Sequence, residues 1–370
     1  KPYVERDMDD EDVLLDCLNR IHEDYPDTPK LLIGSTEWQI QMIANIREKL
    51  SESWIVPYSE RDVIKRVIDK TSFYNLCEEL GVDYPKCISI TNSPSLKVDD
   101  LPFPFPVVVK PTNGVLYESL DFTGKMKVYT AQNKEELDTI LSLLSEAGYH
   151  DNLIVQEFVP GDDTAMHILT IYIDKNGETK LASFGQTLLE DHTPGGIGNP
   201  LAIRTFHHEE VVKQAERITK HVGYVGFANF DLKYDARDGK YKFFELNARL
   251  GRSNYYITAA GNNPTECYVK GYINKEELPS VVAKNEVLYS VVPKRLLIKY
   301  IKNKELKNKV LELYKNRLVK NPMYYFSVEK NLKRLFYILV STFNYYRKFK
   351  RYPPHSTNME LEQSQSVRSR

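Results

Sequence analysis

Residues Phe230–Ser253, FDLKYDARDGKYKFFELNARLGRS, constrain this chain more than any other stretch. Asp231 follows an apolar run, Gly226-Phe227-Ala228-Asn229-Phe230, and Glu245, Asn247 and Arg249 alternate along a second run, Tyr241 to Leu250. Between them, Asp235-Ala236-Arg237-Asp238-Gly239 has the composition of a tight turn. Two strands joined by such a turn are antiparallel neighbours, and the two-residue period puts positions 245, 247 and 249 on one face. That face carries a carboxylate, an amide oxygen and a guanidinium, and Asp231 reaches it from the neighbouring strand. Hard oxygen donors of this kind suit Mg²⁺, which takes a few carboxylates together with phosphate oxygens. A nearby Arg suits an anionic substrate or a transferring phosphoryl group. Taken alone, the segment fits an ordinary half-exposed hairpin equally well.

Three further segments narrow the choice. In Pro102–Pro111, PFPFPVVVKP, an apolar strand runs into Lys110 and stops at Pro111. A lysine ending a buried β-branched run must be paired or face a ligand, and it meets a phosphate as a point charge. The plainer reading is a side chain emerging at a strand end. In Leu153–Thr164, LIVQEFVPGDDT, a strand enters Gln156-Glu157-Phe158-Val159 and a Pro160-Gly161 turn delivers Asp162 and Asp163. Backbone groups there can pair with an adenine edge and an acidic residue just beyond can accept ribose hydroxyls; a plain surface turn is the alternative. Asp69-Lys70-Thr71-Ser72-Phe73 opens a helix over Tyr74–Leu80, and a lysine at a helix start opposes the dipole unless it has a local purpose.

In this order, the four segments resemble the ATP-grasp superfamily of carboxylate–amine ligases over roughly residues 60 to 265. KTSFYNLCEELGVDYPK, FVPGDD, LLEDHTPGGIGN and GFANFDLKYDARDGKYKFFELNARLGRS are similar to the D-aspartate ligases of Gram-positive cell-wall synthesis. The resemblance implies an α/β and α+β protein of the ATP-grasp fold, with two α+β lobes sandwiching ATP. It implies that Lys70 and Lys110 hold phosphate oxygens, that Gln156, Glu157, Phe158 and Val159 line adenine, and that Asp163 binds ribose. Asp231, Glu245 and Asn247 would hold one or two Mg²⁺, with Mn²⁺ as a substitute. Arg249 and Arg252 would orient the carboxylate substrate, and Lys110 would also serve the chemistry. The implied reaction activates a carboxylate, the β-carboxylate of D-aspartate, as an acyl phosphate. It then joins this to an amine, the lysine side chain of a nucleotide-linked muropeptide precursor. The alternatives are a ligase for another amino acid or acceptor, or a non-catalytic ATP-binding protein, which need not retain the Mg²⁺-type residues.

At 370 residues the chain has room for two or three domains. Its net charge of −1 carries no nucleic-acid signature. No apolar run approaches a membrane span and no signal peptide is evident. Cys17, Cys77, Cys87 and Cys267 form no C-x-x-C pair, so free thiols in a reducing cytoplasm are the simplest account. The expected division is a partial N-terminal α/β domain over 1–65, an ATP-grasp domain over 66–290, a basic helical region over 291–352 and a disordered tail over 353–370. Part of the first domain is expected to be missing, because the chain starts at Lys1 and its first strand, Lys30 to Ser35, follows an acidic helix over Glu11 to His22. Helices are also expected over Trp38–Leu50, Lys134–Ala147 and His208–Gly223, and strands over Met166–Ile173 and Lys180–Gln186. Leu189–Ile203, rich in Gly and Pro, reads as a loop able to cover a reactive intermediate. Within it His192 is either a plain loop residue or catalytic; Arg204, just after it, contacts an anion or pairs on the surface.

Residues 293 to 352 hold 17 Lys or Arg against 3 Glu and no Asp, interleaved with aromatic residues. Two readings stand: a helical cap with a solvated basic face, or a docking surface for anionic lipid or for the diphosphate of a nucleotide-linked substrate.

Overall fold

Three sheets organise the described residues. The structure, a computed structural model, describes residues 2–93, 100–112, 114–126, 128–194, 196–324 and 331–354. Most of the expected tail, from 355 onward, lies outside the described residues.

The N-terminal segment contains α1 (Glu11–Asp24), β1 (Lys30–Leu31), α2 (Glu37–Ile46) and β2 (Trp54–Ile55), with β1 and β2 paired in parallel. Asp10 caps α1, and Thr36 and Gln39 form a capping box on α2. The strand expected over Lys30–Ser35 is only two residues long. The helix expected to reach Leu50 ends at Ile46 and continues as a 3₁₀ turn, Arg47–Lys49. Helices α3 (Arg61–Ile68) and α4 (Lys70–Glu79) follow. Asp69 separates them, and its carboxylate accepts the Ser72 N–H at 2.8 Å.

A small lobe comprises β3 (Cys87–Thr91), β4 (Val107–Pro111), α5 (Gly114–Ser119), β5 (Tyr129–Ala131), α6 (Lys134–Glu146) and β6 (Asn152–Glu157). Its sheet is antiparallel in the order β3-β6-β4-β5. Leu137, Leu141 and Leu144 recur at helical spacing on α6 and pack on Val107, Val109, Leu153 and Val155.

The larger lobe holds β7 (Met166–Ile173), β8 (Thr179–Glu190), β9 (Pro200–Phe206), α7 (Glu209–Val222), β10 (Gly226–Asp235) and β11 (Lys240–Asn247). There follow α8 (Tyr255–Ala259), α9 (Pro264–Tyr268), β12 (Val281–Val282), β13 (Leu288–Ser290), α10 (Lys294–Tyr300), α11 (Lys304–Lys315), β14 (Val319–Lys320) and α12 (Leu332–Arg351). The main sheet runs β11-β10-β7-β8-β9-β13-β14, with β12 beside β8. Helix α7 stops at Gly223 in the left-handed conformation and lays Val211, Ala215, Ile218 and Val222 on the core beneath the sheet. Leu189 and Glu190 belong to β8, and Pro200 to Ile203 to β9, so the expected loop shrinks to positions 191–199. Helices α10 to α12 share a core with β8 and β9: Leu188, Leu189 and Leu201 meet Leu297, Val310 and Phe349.

Candidate active site

Strands β10 and β11 put Asp231 opposite Glu245 and Asn229 opposite Asn247. A register shift after Asp231 pairs Leu232 with Phe243 and passes over Phe244, which bends the strand beside the carboxylate pair. The Asn247 amide donates to Asp231 Oδ2 at 3.3 Å. Burial, and then the facing charge of Glu245, push the Asp231 carboxyl well above the usual carboxylate range, while Arg249 pulls the other way. β11 ends at Asn247, so Arg249 lies just past the strand. Its guanidinium donates to Asn247 Oδ1 and to the Leu250 carbonyl, each at 3.3 Å. The Arg249 Nε is buried with no hydrogen-bond partner among the described residues. Two half-buried carboxylates held facing one another, with an amide oxygen beside them, are a donor set that a hard cation satisfies. No group of three or more His, Cys, Asp and Glu able to hold a metal occurs among the described residues. The set is thus two carboxylates and an amide, fitting an ion that takes its other ligands from water and phosphate. Below it, Thr170 donates to Asn229 Oδ1 at 2.8 Å and Tyr256 donates to Thr170 at 3.0 Å, fixing the floor.

The expected adenine segment lies at the end of β6. Gln156 is buried and accepts from the Tyr74 hydroxyl at 3.2 Å, so its side chain faces α4. The Glu157 carboxylate accepts from the Lys86 N–H and from Arg237, both at 2.9 Å. The Phe158 N–H donates to the Pro106 carbonyl at 3.2 Å, and Val159 is buried just beyond the strand. Arg237 also grips the buried Asp235, so the β10–β11 turn is tied to β6. Asp163 Oδ2 accepts from the Glu190 N–H and pairs with His192 Nε2, both at 2.8 Å. A carboxylate has about four acceptor positions, so Asp163 keeps capacity for hydroxyls. His192 is 4% exposed. Burial opposes its charge, but the bond to Asp163 and that carboxylate's charge outweigh it and raise the imidazolium's pKa. It is therefore a buried partner of Asp163 and not a surface loop residue. Arg204 pairs with Glu286 and with Gln186.

Lys110 emerges half-buried from β4 with its ammonium 4.9 Å from the Phe244 ring, which brings the small lobe's lysine to the large lobe's hairpin. Lys70 is the first residue of α4 and is half-buried. Arg252 is exposed; its charge opposes the burial-driven upward shift of the Tyr289 and Tyr345 hydroxyls.

Lys233 is a further cation at this site, and none of the four motif segments singles it out. It lies two positions after Asp231 and thus on the same strand face, is 4% exposed, and holds its ammonium 5.4 Å from the Phe158 ring. Burial brings its pKa down to about 8 against the pull of Glu190, Asp163, Asp162 and Asp235. The signal was available: the alternation that singles out 245 and 247 also pairs 231 with 233. Arg237 was hidden in a turn whose composition explained it already.

Residues 201–260, which hold this hairpin, match the family described as carbamoyl-phosphate synthase L chain, ATP binding domain. Over 356 residues the chain is 34% identical to a D-aspartate ligase of Enterococcus faecium (strain Aus0004), covering 93% of this chain and 84% of that one. Similar solved structures include an L-amino acid ligase from Bacillus licheniformis, with TM-score 0.51, 18% identity, and 71% of this chain on 60% of that one. A biotin carboxylase–β-γ-ATP complex from Campylobacter jejuni gives TM-score 0.55, 13% identity, and 72% on 58%. N5-carboxyaminoimidazole synthetase from Staphylococcus aureus complexed with ADP gives 0.54, 13%, and 77% on 69%. The chain thus spans less than two thirds of the first two solved structures, and at these identities the likeness is one of fold. The relationship to D-aspartate ligase extends over nearly the whole sequence, so the chain belongs to that family and is an ATP-grasp enzyme, an ATP-dependent carboxylate–amine ligase.

Proposed function

We propose that the carboxylate activated is the β-carboxylate of D-aspartate and the amine is the lysine side chain of a nucleotide-linked peptidoglycan precursor. The observation that carries this reading is the 34% identity to D-aspartate ligase over 93% of the chain. A carboxylate is a poor acyl donor because its leaving group would be oxide. Transfer of the γ-phosphoryl of ATP to a carboxylate oxygen gives an acyl phosphate and ADP. The amine then attacks the acyl carbon, phosphate departs with the C–O bonding pair, and the nitrogen loses a proton to leave the amide.

Arg249 suits the substrate carboxylate, since its buried Nε has no partner among the described residues and a guanidinium can grip a carboxylate at two points. Arg252, exposed and near Tyr289 and Tyr345, is the second cation that would orient this carboxylate. Lys70 and Lys110 approach the phosphates, and Lys233 supplies a further cation between the adenine-lining Phe158 and Asp231. The segment Gln156–Val159 lines adenine, Glu157 through its backbone carbonyl because its carboxylate and its N–H are engaged, and Asp163 takes the ribose. Asp231, Glu245 and Asn247 are the residues that would hold Mg²⁺, or Mn²⁺ in its place. When bound, the ion neutralises charge on the phosphates during transfer. In this reading residues 66–290 form the catalytic unit between an α/β segment at 1–65 and a basic region at 291–352. The reaction belongs in the cytoplasm, where ATP and nucleotide-linked precursors are found.

The test is phosphate release from ATP with D- and L-amino acids offered against a nucleotide-linked muropeptide, with mass spectrometry of the product. D-aspartate should give turnover that requires the muropeptide, and a product heavier by one aspartyl residue. Preference for another amino acid, or for a small amine acceptor, would overturn the substrate assignment.

A further inference from the structure

The outer face of α12 has no place in the ligase chemistry. Leu332, Phe336, Leu339, Phe343 and Tyr346 recur at spacings of four and three residues and form one stripe along the helix. They are 83%, 70%, 44%, 68% and 40% exposed, and Val340 beside them is 50% exposed. The helix is already anchored by a different face: Ile338 and Phe349 are buried, and Tyr345 packs into the cluster around β8 and β9. Its outer stripe is therefore not required for folding against the large lobe.

Charge surrounds the stripe. Helix α12 carries Lys333, Arg334, Arg347, Lys348, Lys350 and Arg351 and no Asp or Glu. Lys333 and Arg334 stand in the first turn and Arg347, Lys348, Lys350 and Arg351 near the other end, so cations flank the stripe at both ends. Phe, Tyr and Leu along one line with cations at both ends are the pattern of a helix that lies in a lipid interface. No described helix is long and apolar enough to cross a membrane, which leaves the in-plane arrangement. The same spacing would allow a second copy to pack on the stripe, but that would bring like charges together with no carboxylate on the helix to answer them.

We infer that α12 is a docking helix for an anionic phospholipid surface. Its buried end touches the rim of the nucleotide site. Lys348 reaches Asp191 at 3.4 Å, and the Phe349 ring lies 6.4 Å from that of His192, the partner of Asp163. Docking therefore holds the catalytic cleft in a fixed relation to the lipid, whichever amino acid and acceptor the enzyme uses.

The experiment is co-sedimentation of the full chain with vesicles of equimolar phosphatidylglycerol and phosphatidylcholine, or of phosphatidylcholine alone, at low and high salt. The protein should pellet with the anionic vesicles and about tenfold less with the neutral ones, and salt should release it. The double variant Phe336→Ser, Phe343→Ser should lose about tenfold in binding with unchanged melting temperature and ligase activity, because both side chains already face water. Lys304→Ser with Lys309→Ser, on α11, should bind as the parent does. Three results would overturn the inference: no pelleting at low salt; binding that the stripe variant leaves intact, which is adsorption of a basic region; or a dimer abolished by that variant in the absence of vesicle binding.

Discussion

At the scale of single residues, the site rests on charges brought together against their electrostatic preference. Asp231 and Glu245 face one another across a strand pair, and the cost of holding them there is visible in the raised Asp231 carboxyl. Glu245→Gln keeps the shape and removes one charge. It should fold as the parent does and lose ligase activity by on the order of 10³-fold, measured as phosphate release at saturating Mg²⁺. Near-normal turnover would take Glu245 out of the site. Lys233 gives a pH signature. Its pKa of about 8 is depressed from 10.5 by burial, so its charge is present below pH 8 and fades as pH rises through that value. Nucleotide affinity, measured by titration, should therefore weaken between pH 7.5 and 9 in the parent, on the order of tenfold. Lys233→Met should bind more weakly at pH 7.5 and show little further change. A parallel decline in both proteins would place Lys233 away from the phosphates.

At the scale of elements, the β10–β11 turn does more than reverse the chain. Through Arg237 it joins the buried Asp235 to Glu157 at the end of β6, and so ties the Gln156–Val159 segment of one lobe to the hairpin of the other. Arg237 is 43% exposed, so solvent screens the pair, and its loss should cost only about 1 kcal/mol through the ion pairs themselves. The larger consequence is positional. Arg237→Ala should raise KM for ATP several-fold, roughly the worth of one charged hydrogen bond, while changing kcat less. Lys240→Ala, which removes an exposed pair with Asp83 on the same hairpin, should leave KM for ATP unchanged. Equal effects of the two variants in steady-state kinetics would mean that the Gln156–Val159 segment does not depend on this contact.

For the molecule as a whole, one buried imidazole sets a limit at acid pH. His167 lies between Phe184 and Tyr241 with Nδ1 against the Ala165 carbonyl, and burial brings its pKa down to about 3. The unfolded chain takes up this proton near pH 6.5 and the folded chain does not, so folding stability falls as pH drops from about 6.5 toward 3. The slope from this group reaches about 1.4 kcal/mol per pH unit. His167→Gln removes the titration. The stability difference between parent and variant, from urea unfolding, should shift against the parent between pH 7 and pH 5. A difference independent of pH would mean that His167 titrates in the folded protein.

The sequence by itself determined the elements whose signal is local. The two-residue period and the turn composition fixed the hairpin and the shared face of Glu245 and Asn247, because strand geometry alternates side chains without regard to the partner. Asp69, Asn133 and Gly223 cap their helices through contacts confined to one turn, so those ends depend on local sequence alone. The tertiary structure decided what depends on residues distant in the chain. Leu189 and Glu190 become strand only because Ala202 and Pro200 pair with them across irregular register. His192 finds Asp163 across 29 positions and Arg237 finds Glu157 across 80. The burial of Lys233 depends on Phe158 from another element. Helix α12 reads along the sequence as apolar on one side and basic; only its packing on β8 and β9 shows which apolar face is used up and which is left outside. Local periodicity reports how the backbone repeats, whereas pairing and burial are properties of surfaces that exist only once the chain has folded.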